Sequence, residues 1–163
     1  MTLLLTYVGF ALGVSFLCSV LEAALLSVTP AALARLEHDK PEVGKRVRAL
    51  KEHIDRPLAA ILSLNTIAHT IGAAGVGAQA QNLWGSDALA ITSVVLTLLI
   101  LVISEIIPKT LGALYWRRLT GFVAGILPPM ILLLAPLVWL SQKITGFLRK
   151  RRKAETLSRE EFT

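Results

Sequence analysis

The sequence predicts an all-α membrane protein with three transmembrane helices, a cytoplasmic-side helical pair and a kinked juxtamembrane belt helix. Three observations carry this expectation. Hydrophobic residues make up 54% of the 163-residue chain, and its mean hydropathy is +0.64. That is above the 45–50% apolar content usual for soluble domains. The apolar residues fall in long runs rather than in alternating or amphipathic patterns, as bilayer spans require. The 17 lysines and arginines cluster between and after those runs.

The first run covers residues 3–28, about the length needed to cross a bilayer. Its start, "MTLLLTYVGFALGVSFL", has no basic leader and no small-residue cleavage site, so it is expected to remain as a span. Residues 30–56 are polar and basic. Leu33, Leu36, Val43, Val47, Leu50 and Ile54 recur at helical spacing, which predicts two short surface helices broken near Pro41. The second span is placed at 57–82. Its stretch "NTIAHTIGAAGVGAQAQ" is rich in Gly and Ala, and small residues let helix backbones approach closely. The third span is placed at 88–116. A fourth apolar run, 119–148, contains Pro128, Pro129 and Pro136. Residues 1–148 form the expected membrane domain, and 149–163 a charged linker.

Charge sets the expected topology. Segment 35–56 holds seven lysines and arginines, and 80–87 holds none. The positive-inside rule therefore puts 35–56 in the cytoplasm and the N-terminus outside. The fourth run is basic at both ends, from Arg117 and Arg118 to Lys143 and Arg149–Lys153. A single crossing cannot keep both ends cytoplasmic. A belt that lies along or dips into the cytoplasmic leaflet can, and the three prolines suit a kinked path. A plain four-span bundle is the alternative. The net charge of +6 fits topology and anionic lipid better than nucleic acid, because the basic residues sit at the ends of apolar runs. Cys18 stands alone, so no internal disulfide forms.

The chemistry concentrates in "LLILVISEIIPKTLGALYW", residues 98–116. A carboxylate inside an apolar span is costly and marks a functional position. Pro108 has no N–H, so the Ser104 carbonyl four residues earlier loses its helical partner. A kink here offers a main-chain oxygen next to the Glu105 carboxylate, and hard oxygen ligands suit Mg²⁺ or Ca²⁺. Glu105 is twelve residues from Arg117, Asn65 nine from Arg56, and Ser19 eleven from Pro30. At 1.5 Å per residue these are depths of roughly 13–18 Å, one layer near the middle of the bilayer. Asn65 reads as ligand or as interhelical glue. The Ser19 hydroxyl could instead bond back to its own helix. His69 reads as a packing or hydrogen-bonding partner, and Lys109 as a neutralising or snorkelling cation. Glu22 could line an entrance or cap a helix. No nucleophile motif accompanies Ser19, His69 and Glu105, so an enzyme is not expected.

These residues carry a resemblance. "SEIIPKTLG" resembles the proline-flanked glutamate motif of the CorC/CNNM magnesium transporters. "CSVLEAALLSVTPAAL" is similar to that family's first-span motif, and "LSLNTIAH" to its second-span stretch. The resemblance implies a homodimeric, multi-pass inner-membrane protein that holds dehydrated Mg²⁺ among its spans. It implies export of Mg²⁺ from the cytoplasm with Na⁺ as a coupling ion. By position, the implied ligands are Ser19, Asn65, Glu105 and the Ser104 backbone. Ser104 replaces the family's glycine, adding a hydroxyl ligand or filling space, and His69 replaces its second asparagine. The resemblance also implies cytoplasmic CBS domains that bind ATP, here expected beyond "SREEFT". The rival is a dimeric membrane anchor or Mg²⁺ sensor without transport.

Overall fold

The computed structural model describes residues 1–146. Its elements are α1 (Thr2–Ser27), α2 (Pro30–Asp39), α3 (Pro41–Glu52), α4 (Asp55–Trp84), α5 (Ala88–Leu99), a π-helical segment (Ile100–Ile106) and α6 (Ile107–Leu133). A further helix, α7, occupies 135–146. There is no strand among the described residues. Three helical stretches are long and apolar enough to cross a membrane: Thr2–Ser27, Asp55–Trp84 and Ala88–Leu133. The expected linker, 149–163, and the last two belt positions lie outside the described residues.

Local chemistry accounts for the breaks. The Thr29 side chain accepts a hydrogen bond from the Ala32 N–H at the start of α2, and Pro30 sits in the first turn. A side-chain acceptor and a proline at these positions favour a helix start. Pro41 likewise stands in the first turn of α3, there without a side-chain cap. Gly85 ends α4 at φ 83°, a left-handed backbone that side chains with a Cβ resist.

The surface pair α2–α3 is fastened to α1 at one end of the spans. Glu37 of α2 pairs with Arg48 of α3 through two side-chain contacts. The Lys51 ammonium donates to the Leu25 carbonyl at 3.3 Å, placing a cation at the carbonyl end of α1, where the helix dipole favours it.

The main apolar core joins Leu21 and Leu25 of α1 with Leu50 of α3, Ala60 and Ile61 of α4, and Val123, Leu127 and Met130 of α6. All these α1 and α4 positions lie at the end nearest the surface pair. The chain beyond the third span thus packs across that end. It gets there by a bend at Tyr115 (φ −104°, ψ 16°). The expected kink falls at one of the three prolines: α6 breaks just before Pro136, in the first turn of α7. Pro128 and Pro129 sit inside α6 without ending it, and the break comes at Leu134.

Candidate metal centre

The seam between α1 and α4 is built from small residues that meet one turn at a time. Gly75 faces the Tyr7 ring, and Gly72 faces the Ala11 methyl. One turn further, His69 Nε2 and Ser15 Oγ share a hydrogen bond at 2.8 Å. The next turn carries Ser19 on α1 and Asn65 on α4. Ser19 is buried. The Asn65 Oδ1 is buried with no hydrogen-bond partner among the described residues. A buried amide oxygen without a partner is costly, and most such groups in folded proteins are satisfied.

The third span approaches α1 from another side. Residues Ile100–Ile106 form a π-helix, and the Ile107 N–H donates to the Val102 carbonyl five residues back. Such segments are rare and frequent at functional sites. The expected kink at Pro108 is thus replaced by a widened turn, which eases the clash between the proline ring and the preceding carbonyls. The wider register adds a consequence. An α-type bond from residue 108 would reach Ser104, and a π-type bond would reach Ile103. Pro108 can make neither, so one of these two carbonyls just before Glu105 loses its donor.

Packing fixes where this turn sits. The Ser104 hydroxyl, fully buried, donates to the Leu12 carbonyl of α1 at 3.1 Å. It therefore ties the π-helical turn to α1 rather than simply filling space. Eight residues on, Gly112 lies against α1 so closely that a Cβ there would be 2.7 Å from the Val20 carbonyl oxygen and 2.9 Å from the Ala23 methyl. Leu12 to Val20 is also eight residues, so the two helices run parallel in step. By that register Glu105 stands nearer the level of Ser15 than that of Ser19. Ser15 and His69 share this neighbourhood.

Charge around the centre is divided. Lys109 pairs with Glu22 of α1 at 3.5 Å. Among the described residues Glu105 has no ion-pair partner. The same residues contain no group of three His, Cys, Asp or Glu able to share a metal. A cation in this region meets one carboxylate and otherwise neutral hydroxyl, amide and main-chain oxygens. The oxygens in that set suit a hard divalent ion, and the histidine nitrogen close by, His69 Nε2, is engaged with Ser15.

Sequence reasoning missed two contacts. The Ser15–His69 bond had a usable signal, since Ser15 is one turn from Ser19 and His69 one turn from Asn65. The Glu22–Lys109 pair had none, because its members are far apart along the chain and meet only once helix register is known.

Comparison with known proteins agrees in kind. The family model described as the cyclin M transmembrane N-terminal domain (CNNM) matches residues 7–163. A UPF0053 protein of Synechocystis sp. is 35% identical over 132 residues, 81% of this chain and 38% of the relative. The UPF0053 inner membrane protein YfjD of Escherichia coli is 29% identical over 148 residues, 86% of this chain and 35% of its own length. A UPF0053 protein of Haemophilus influenzae is 32% identical over 127 residues, covering 78% and 30%. The chain spans about a third of the length of these curated relatives.

Proposed function

The chain belongs to the cyclin M transmembrane N-terminal domain family, and on that premise we propose that it carries Mg²⁺ out of the cytoplasm across the inner membrane. The observation that supports this reading best is the lone Asn65 Oδ1, one turn from the Ser15–His69 bond. A dehydrated cation supplies what that oxygen lacks. In this reading Ser19, Asn65 and Glu105 are ligands. The Ser104 hydroxyl is engaged with Leu12, so Ser104 contributes through its main-chain oxygen. With a single carboxylate the loaded site keeps a net positive charge, which limits affinity and assists release.

The basic segment 35–56 supports a cytoplasmic surface pair and an outside N-terminus. Inward Na⁺ movement is the driving partner in this proposal, and a homodimer the working unit, both by family resemblance.

The test is reconstitution in liposomes with a trapped Mg²⁺ indicator, beside thermal unfolding with and without Mg²⁺. Glu105→Ala is expected to abolish both flux and Mg²⁺-dependent stabilisation. Unchanged flux in that variant overturns the ion site. Stabilisation that depends on Glu105, in a wild-type protein that never moves Mg²⁺, favours the sensor instead.

A further inference from the structure

A groove of about 350 Å³ opens between α3, the start of α4 and α6. Its floor is apolar, with Leu50, Pro57 and Pro128. Its rim is basic, with Arg46, His53 and Arg56, and none of the described residues lining it is acidic. The nearby Asp55 is turned elsewhere, accepting from the Gln142 amide at 3.4 Å. The groove lies where a span emerges. Pro57 is in the first turn of α4, while the apolar side chains just past the groove on α6, Leu132 and Leu133, are 78% and 77% exposed. An apolar slot under a cationic rim, beside lipid-facing surface, matches one kind of molecule: an amphiphile with an anionic head.

A second groove at the same end provides the contrast. It is lined by Arg35, Arg117 and Trp116 of α2 and α6, but also by Asp39. Its charge is mixed, and Arg117 already stacks over the Trp116 ring at 5.4 Å. Basic residues are thus present in both grooves, and only the α3/α4/α6 groove couples unopposed charge to an apolar floor.

We propose that the α3/α4/α6 groove is a binding site for an anionic phospholipid, its phosphate held by Arg46 and Arg56 and its first acyl carbons laid on Pro57 and Pro128. Basic pockets at the cytoplasmic ends of membrane helices recognise acidic headgroups in this way. The site is separate from the proposed ion ligands and does not depend on transport.

The test is native mass spectrometry of the purified chain in detergent, titrated with phosphatidylglycerol or phosphatidylcholine. Phosphatidylglycerol adducts are expected to persist at collision energies that strip phosphatidylcholine. The double variant R46Q/R56Q should weaken phosphatidylglycerol retention by about 30-fold, since each basic residue near an anionic lipid contributes on the order of fivefold. Ala49 also lines the groove; Ala49→Trp fills it without touching its charge and should weaken retention as well, which covers a folding defect in the double variant. R35Q/R117Q removes the same charge from the other groove and should change little. Equal losses in the two double variants overturn the site in favour of net charge alone. Equal retention of both lipids overturns the headgroup preference. Displacement of the lipid by millimolar inorganic phosphate overturns the acyl contact and leaves a simple anion site.

Discussion

The two seams of α1 are built on opposite principles. Against α4, the contacts are small residues and a neutral hydrogen bond, Ser15 to His69, and α4 stays regular through thirty residues. Against the third span, backbone touches backbone at Gly112, a charged pair joins Glu22 to Lys109, and the facing helix is π-helical at Ser104 and Glu105. The first seam is a wall. The second holds the irregularity, with one fixed contact inside it at Leu12 and another beyond it at Val20. A polar centre between them has one regular side and one π-helical side.

Substituting the glycines breaks this comparison most directly. Gly112→Ala pushes a methyl into the Val20 main-chain oxygen, which cannot rotate away. A loss of about 1–3 kcal/mol of stability is expected. Gly75→Ala meets the Tyr7 ring first, a side chain at the partly exposed end of the seam that can swing aside, and should cost less. Unfolding of both variants in the same detergent measures the difference, and a larger loss at Gly75 reverses the assignment of the tighter seam.

Pro108→Ala probes the irregular side alone. It restores the N–H that the proline removes. The turn should close toward α-helix and gain about 1 kcal/mol in the absence of Mg²⁺. The Mg²⁺-dependent rise in unfolding temperature should shrink or vanish. An undiminished rise separates the π-helical turn from ion binding.

The smallest effect lies outside both seams. Arg48 beside Glu37 holds that carboxyl below its ordinary value of 4.5. A lowered folded-state value means the contribution is present above about pH 4.5 and is lost as pH falls through the lowered value. The pair is at the surface, so the pH-dependent gap between wild type and Glu37→Gln should be slight and should fade with added salt. Melting curves from pH 3 to 7 check it.

How much of this was legible before the coordinates depended on distance along the chain. The three spans follow from apolar runs, and the break at Pro41 from a proline between two amphipathic patterns. Glu105 beside Pro108 was legible as a disturbed helix carrying an acid. The form of the disturbance was not, because a proline can kink a helix or widen it. The choice here goes with contacts on α1, at Leu12 and Val20, that the local sequence does not contain. The same reason explains why Pro128 and Pro129 sit within α6, where the packing of Val123, Leu127 and Met130 on the core holds the helix together. Lys109 read as neutralising Glu105 or snorkelling, and tertiary register gave it Glu22.

The π-helical turn has one more consequence, for what lies downstream. It amounts to one residue wound into the helix beyond the α-helical count. From Ile107 to Leu133 the chain continues as helix with only Tyr115 off the path. If that surplus residue were drawn out, everything up to the Tyr115 elbow would screw round by about 100° and travel ~1.5 Å. Gly112 would leave Val20, Lys109 would leave Glu22, and the elbow would pull on the layer of helix packed beneath the spans. A rearrangement of a single peptide beside Glu105 would then be felt at the far surface as a turn of the screw.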